Sequence, residues 1–473
     1  MFLASTIALF VGLVWIAIAS ARRASSVNDF VLAGQSIGVV AGTGALVATW
    51  YGAESLLTLS DEVARGGLKA IWIDPVGIAL CLVLVGLFVV PRLYHLDITT
   101  VGDMFRQAAG ANAERLASLV IVPSYFGWIA AQLIAASMML RLFVGGEIVF
   151  WTILVSCVAF ILCFFGGGSG VAVANAASML VIGLGLLAMA ALIVKAGVIF
   201  ESDSWRVSGL IPSANLELLD REASSPWMQM LGALAVGSIG NIPAIELVQR
   251  IRSSRSMNTA RWSCLLAAGI YLAMGCVPVL CGIAFLGFGY RMADDIQVLS
   301  HLAKVHMPTP GALALFLAIL ATILTTLMSA ISAPATMLGI NVIEPLWKCF
   351  RRRPMTEENR IRLQKWSIGI MLAGGLGFAW SGETAFELLR DSYGMLLAAI
   401  VVPFMAILIE RERVSRIGVT STILFGTCMW CAHWWFGWES LAGYWGEQLL
   451  VIPHELGASV LSLALYMVVR LQT

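Results

Sequence analysis

The sequence predicts an all-α polytopic membrane protein of about thirteen transmembrane helices. Three observations carry that reading. Hydrophobic residues make up 59% of the 473 residues and charged ones only 12%, about half the charged share of a soluble domain. Mean hydropathy is +0.89, more apolar surface than a soluble core can hide. Apolar runs of about 20 residues, the length that crosses a bilayer, recur along the whole chain, and basic residues gather in alternate connections between them.

The expected spans, numbered 0 to 12, are 2–20, 36–60, 67–91, 114–143, 148–166, 169–197, 226–250, 260–288, 311–340, 361–381, 385–409, 416–436 and 450–470. Together they form a single membrane domain, 1–473. Span 0 differs from a secretory leader because its charges, Arg22 and Arg23, follow the apolar stretch, whereas a leader places them first. An odd number of spans sets the termini on opposite sides. With the N-terminus outside and the C-terminus cytoplasmic, the inner connections hold Arg22, Arg23, Arg92, Arg106, Arg115, Arg252, Arg255, Arg261, Lys348, Arg351, Arg352, Arg353, Arg411, Arg413 and Arg416. This asymmetry is the positive-inside pattern. The longest outer connection, "FESDSWRVSGLIPSANLELLDREASSP", is acidic. A cell membrane, bacterial inner membrane by the compact connections, is the expected location.

Net charge is +1 and no basic patch lies outside the short connections, so nothing points to nucleic acid. The nine Cys are scattered through apolar runs, where Cys serves as a small hydrophobe. "CMWCAH" gives Cys428 and Cys431 a C-x-x-C spacing with His433 nearby, but inside a membrane helix. The Trp residues that follow read as interfacial anchors.

Span 1 contains "GALVATWYGAE" and span 6 contains "GALAVGSIGNIPAIE". Each begins Gly-Ala-Leu and turns polar halfway. Spans 1 and 6 would lead two five-helix halves, spans 1–5 (36–197) and 6–10 (226–409), with span 0 and the C-terminal pair at 416–470 as additions. Inverted repeats with interrupted helices in matching places build many secondary transporters. Gly52, and Gly237 with Gly240 and Pro243, would mark the interruptions. Such a break either frees carbonyl oxygens that coordinate a small hard cation, or is a kink packed against its neighbours with Glu54 facing a polar interior.

"NDFVLAGQSIG", "DITTVGDMFRQAAG", "VQRIRSSRSMNTAR" and "ATILTTLMSAISA", taken together, resemble motifs of the sodium:solute symporter family, with "ATWYG" and "FGWIAAQ" closest to its choline-transporter branch. The resemblance runs over nearly the whole chain. It implies a LeuT-like core, no enzyme activity, no cofactor, and sodium as coupling ion. It also implies a sodium site made by carbonyls of Ala48 and Tyr51 in span 1, the carbonyl of Thr322 and the hydroxyls of Thr325 and Thr326 in span 8. Adjacent residues point about 100° apart on a helix, so two neighbouring hydroxyls and a carbonyl one turn earlier can meet one ion. Neutral oxygens suit a monovalent cation, since divalent ions recruit carboxylates. The ordinary alternative for a buried helical Thr is a bond to its own helix backbone. In span 5 the Asp and Gln of the family pattern are replaced by Asn175 and Ser178, which implies one sodium per cycle.

The choline branch holds a quaternary ammonium among aromatic rings through cation–π attraction. By resemblance Trp50 and Trp128 are two walls of that box, while Ile78 and Ala244 stand where the others would be. Three intramembrane acids, Glu54, Asp74 and Glu246, are costly in lipid and are candidates for a positively charged solute. Each has a structural alternative: Glu54 on freed amides, Asp74 capping a half-helix before Pro75, Glu246 pairing with Arg250 one turn on. Tyr125, Gln132, Ser238, Asn241 and Gln249 supply nearby hydrogen-bonding groups. The expected substrate-binding set is Trp50, Glu54, Asp74, Trp128, Asn241 and Glu246.

The expected function is a sodium-coupled symporter that imports a small organic solute, an amine or amino-acid-like compound, by alternating access. A sugar or monocarboxylate symporter, or a solute sensor without flux, is the alternative; no signalling domain follows the last span. No G-x-x-x-x-G-K-[ST] and no H-E-x-x-H occurs. Expected partners are the lipid bilayer, sodium and the solute.

Overall fold

The computed structural model describes residues 1–20, 35–199, 209–220, 225–293, 296–351, 356–382, 384–437 and 452–472. Most of "NDFVLAGQSIG" and part of the acidic outer connection lie outside them. So do the side chains of 166–181, including Asn175 and Ser178.

The described residues form helices and connecting turns. The unbroken spans are Phe2–Ser20 (span 0), Ala111–Val144 (span 3), Met257–Gly287 (span 7), Glu357–Ala379 (span 9), Arg416–Phe436 (span 11) and His454–Gln472 (span 12). Span 8 runs Thr309–Met337 and continues through a π turn, Leu338–Ile343, into Glu344–Arg351. Span 2 begins as a 3₁₀ turn, Leu68–Trp72, and becomes helical at Val76.

Two of the breaks fall where the glycines and polar residues sit. Span 1 is helical over Val39–Trp50, turns, and resumes as a π turn, Glu54–Thr58, and a helix, Leu59–Gly66. Span 6 is Pro226–Gly237, a 3₁₀ turn Ile239–Asn241, then Ile245–Ser253, bent by 48°. A third bend, of 46°, joins Ala385–Ala399 to Val401–Arg413 in span 10.

Two expectations need correction. Spans 4 and 5 are drawn as one helix, Ile148–Ala196, without the expected turn at 167–168. Gly weakens a helix by about 1 kcal/mol relative to Ala but does not forbid it, so a Gly run alone does not dictate a turn. The count of thirteen also differs. Among the described residues six helices are individually long and apolar enough to cross a bilayer, and two bent pairs raise that to eight. The break itself shortens span 1 to Val39–Trp50, and only Phe2–Trp15 and Ile182–Ala196 qualify as apolar pieces of spans 0 and 5.

One large apolar cluster runs through most of these elements, and a smaller one joins Leu59, Val63, Ala70, Ile211 and Ile283. On the Arg-rich face, the start of span 1 and the end of span 6 are tied by backbone alone. Ile37 N–H donates to Ser253 O at 3.2 Å and Arg255 N–H to Ile37 O at 3.0 Å. On the opposite face the 209–220 segment lies over spans 1 and 2: Trp72 Nε1 donates to Leu218 O at 2.7 Å and Lys69 Nζ meets Asp220 Oδ2 at 2.5 Å.

Candidate functional site

The interruption of span 1 releases specific carbonyls. In a regular helix Gly52 N–H would close on Ala48 O, four residues back. Instead it folds onto Trp50 O at 2.9 Å. Ala48 O is left to accept the Thr326 hydroxyl of span 8 at 3.3 Å. Ala53 N–H likewise leaves the helix ladder and donates to Gln132 Oε1 of span 3 at 3.1 Å. Glycine is needed at 52 for closeness of approach: a Cβ there would lie 2.8 Å from Thr326 Cγ2 and 2.9 Å from its Oγ1. Gly237 plays the matching part in span 6, where a Cβ would stand 2.2 Å from Ile73 O of span 2.

The five residues of the expected ion site are brought partly together. Ala48 and Thr326 meet directly. Thr325 Oγ1 donates to Thr322 O at 2.9 Å, the bond to its own helix that is the ordinary alternative for a buried Thr. Thr322 Oγ1 is buried without a hydrogen-bond partner. Tyr51 is fully buried and its hydroxyl donates to Met274 O of span 7 at 2.9 Å.

The acids are buried around the same break. Glu246 takes Trp50 Nε1–H at 2.8 Å on one oxygen and the Tyr125 hydroxyl on the other. Tyr125 OH in turn accepts the Ile245 N–H that starts the second half of span 6, at 2.8 Å. The pairing of Glu246 with Arg250 is not formed; Arg250 Nε donates to Thr49 Oγ1 at 3.3 Å instead. Two donors already reach the carboxylate through a break that turns it inward. Glu54 Oε2 accepts the Tyr393 hydroxyl of span 10 at 2.7 Å, while its Oε1 is buried without a partner. Asp74 accepts from Ser55 and Tyr271. Asn241 faces its own helix: its Nδ2 donates to Gly237 O at 3.0 Å and Val236 O at 3.4 Å, closing the end of the first half of span 6.

Trp128 flanks the Glu54 carboxylate and lies 5.7 Å from the Tyr125 ring. Its Nε1, like Gln132 Nε2, is buried with no hydrogen bond. Ile78 and Ala244 are buried, at 1% and 3% exposure.

Tyr271 and Tyr393 were not among the expected residues. Tyr271 is a lone Tyr in an apolar run, and Tyr393 directly follows the polar stretch Arg390-Asp391-Ser392. The usable signal was scarcity: the chain has eight Tyr, and a phenol inside lipid needs a partner for its hydroxyl. Cys428 and Cys431 are exposed free thiols, remote from the break.

A bundle whose interrupted spans meet side chains from spans 2, 3, 6, 7, 8 and 10 at one buried polar centre has the build of a secondary transporter. The sequence signature of the sodium:solute symporter family matches residues 30–426, and the chain belongs to that family. It is 27% identical over 274 residues to the high-affinity choline transporter 1 of Caenorhabditis elegans, covering 57% of this chain and 45% of that one. It is 23% identical over 423 residues to the high affinity choline transporter 1 of Mus musculus, covering 84% and 69%. The chain thus spans about half the length of several curated relatives, 45% of the worm protein and 42% of the Drosophila melanogaster one. The fold matches a Na+-coupled sialic acid symporter in a substrate-bound outward-open state, with TM-score 0.77, 17% identity, 100% of this chain and 98% of that one. It also matches Mhp1, a nucleobase-cation-symport-1 family transporter in a closed conformation, with TM-score 0.60, 12% identity, 93% and 94%.

Proposed function

We propose that this protein is a sodium-coupled symporter that imports a small organic amine by alternating access. The observation that carries it is the contact between the carbonyl released at Ala48 and the hydroxyl of Thr326. Two oxygens 3.3 Å apart subtend close to a right angle at an ion ~2.4 Å from each, taking calcium–oxygen distances as a guide for a cation of similar size. Thr322, Thr325 and Tyr51 stand near enough in the chain to complete the shell with neutral oxygens. Sodium would join spans 1 and 8, fix the turn at Gly52, and so orient Trp50 and Glu54. Its release to a low-sodium interior, aided by ~2.3 kcal/mol per charge per 100 mV, would drive the cycle.

The solute class follows from the groups left unpaired. Glu54 Oε1 is a buried acceptor, and Trp128 Nε1, which reaches toward that same carboxylate, and Gln132 Nε2 are buried donors. Unmade bonds of this kind are expensive, and a bound solute can make them. The acceptor calls for an N–H, which a protonated primary, secondary or tertiary amine has and a quaternary ammonium lacks. The donors call for an oxygen elsewhere on the solute, as in an amino acid or amino alcohol. Choline is named for the relatives; Ile78 and Ala244, which are not aromatic, supply no ring face to a quaternary ammonium here. The same donors favour, as a second reading, a sugar or monocarboxylate.

Purified protein in liposomes should accumulate a labelled amine only under an inward sodium gradient. The series ethanolamine, its N-methyl and N,N-dimethyl derivatives, and choline separates N–H recognition from cation–π recognition alone. Sodium-independent uptake across amines, amino acids, sugars and monocarboxylates would rule the symport reading out.

A further inference from the structure

Beside the span 1 break is a buried cluster that neither the ion site nor the amine site uses. Ser55 Oγ and Tyr271 OH lie 2.5 and 3.2 Å from Asp74 Oδ2 and contact each other, so their two hydroxyl protons supply two of these bonds at a time. Both also reach the Trp50 carbonyl, at 3.4 and 3.5 Å. Ser55 and Tyr271 are fully buried and Asp74 is 8% exposed. Asp74 Oδ1 has no hydrogen-bond partner. The titratable groups that face it are Tyr51 and Glu54 of span 1, Tyr271 of span 7 and Tyr393 of span 10. None is basic, and among the described residues no Lys, Arg or His pairs with it.

A carboxylate isolated from cations in an apolar interior is strongly unfavourable. Something must neutralise it. Oxygens around a metal ion at ~2.4 Å stand roughly 3.4 Å apart in an octahedral shell. Here the three side-chain oxygens lie closer, at hydrogen-bond separations. A proton fits that spacing and a metal ion does not. Trp72 and Ile73, just before Asp74 in the chain, line a cavity of about 420 Å³ with Leu218, Asp220 and Val236; Asp74 itself does not line it.

We propose that Asp74 is a proton-binding site linked to the turn of span 1 through Ser55 and the Trp50 carbonyl. A proton from water forms an O–H bond at Oδ1; release returns it to water, with no change of oxidation state. Loss of the proton leaves a negative charge beside the break, which favours sodium across the turn. Sodium affinity therefore rises as Asp74 ionises, by up to tenfold per pH unit below its titration point.

The test uses the full chain in detergent, with labelled sodium alone as probe. Sodium affinity is measured across pH for wild type, Asp74→Asn, Ser55→Ala and Tyr271→Phe, together with infrared spectra of protonated carboxyl groups. Wild-type affinity should fall with falling pH. Asp74→Asn should hold the weaker affinity at every pH and lose one titrating carboxyl band. Ser55→Ala and Tyr271→Phe each remove a donor to the ionised form, so the midpoint should move to higher pH. They keep the proposal open to refutation where Asp74→Asn fails to fold. An unchanged pH profile or carboxyl band in Asp74→Asn, or an unmoved midpoint in both hydroxyl variants, overturns it. So does loss of one of two bound sodium ions in Asp74→Asn, which would make the site metallic. The readout needs no solute, so failure of sodium-driven amine uptake would leave it standing, and the infrared arm decides even where sodium binding is weak.

Discussion

Substituting Gly52 by Ala adds one methyl group at the point where spans 1 and 8 touch. That carbon would sit 2.8 and 2.9 Å from the two branches of Thr326 and 3.1 Å from Gln132 Oε1, inside van der Waals contact with all three. Gly52 is not in the left-handed region of backbone space, so Ala adopts its conformation without strain and the effect is steric. Overpacking of this kind costs ~1–3 kcal/mol. If Thr326 yields, its hydroxyl leaves the Ala48 carbonyl, and the cost falls on sodium binding. At ~1.4 kcal/mol per tenfold, sodium affinity should drop by about 5- to 150-fold, read by labelled-sodium binding or by the sodium-dependent rise in melting temperature. Gly44→Ala is the matched control. Gly44 lies in the helical part of the same span with nothing within 4 Å of the added carbon, and Ala there improves helix propensity by ~1 kcal/mol. Sodium affinity within twofold of wild type in Gly52→Ala would refute the idea that this contact forms the ion site.

Thr326→Val keeps the shape packed on Gly52 and removes only the hydroxyl; losing a ~1.5–3 kcal/mol bond to a charged partner should weaken sodium binding about 10- to 150-fold, whereas Thr326→Ser should retain it. Tyr393→Phe takes from Glu54 the hydrogen bond at 2.7 Å; leaving that buried oxygen unpaired should lower stability by ~1–3 kcal/mol, visible as a reduced melting temperature that amine binding partly restores. His301, in the connection before span 8, sits edge-on to Phe285 and Tyr290; burial first, then His306 and Lys304, hold its pKa below the ordinary 6.5. The folded form therefore binds that proton less readily than the unfolded chain, so its contribution is full above about pH 6.5 and is lost as pH falls below it; His301→Phe should flatten that part of the melting profile. Lys69→Ala breaks an ion pair whose partners are 47% and 30% exposed, and should change stability by less than ~1 kcal/mol.

The breaks were legible in the sequence because lipid makes Gly and carboxylates conspicuous in an apolar run. "WYGAE" and "GSIGNIPAIE" stand out for that reason. The Thr pair was singled out by resemblance to a family motif, since helix geometry alone equally allows a hydroxyl to bond its own backbone, as Thr325 does. What could not be read was pairing across the bundle. Trp50 meets Glu246 across 196 residues and Glu54 meets Tyr393 across 339, and no local period encodes such contacts. Arg250 shows the opposite error: spacing offered Glu246 as its partner, but the bend of span 6 turns the acid to the interior. The network in which Asn341 bonds Asp103 and Glu114, joining the π turn of span 8 to the 101–109 helix and span 3, was hidden for the same reason.

The tie between Ile37 and residues 253–255 uses main-chain atoms only. Its hold is indifferent to side-chain chemistry, so drift in the surrounding arginines can proceed without loosening it. Residues 37 and 255 tolerate almost any replacement except an imino acid, which has no hydrogen to give. Any motion that parts the start of span 1 from the end of span 6 must therefore either carry both as one unit or snap two amide links together, an all-or-none fastening rather than a graded one.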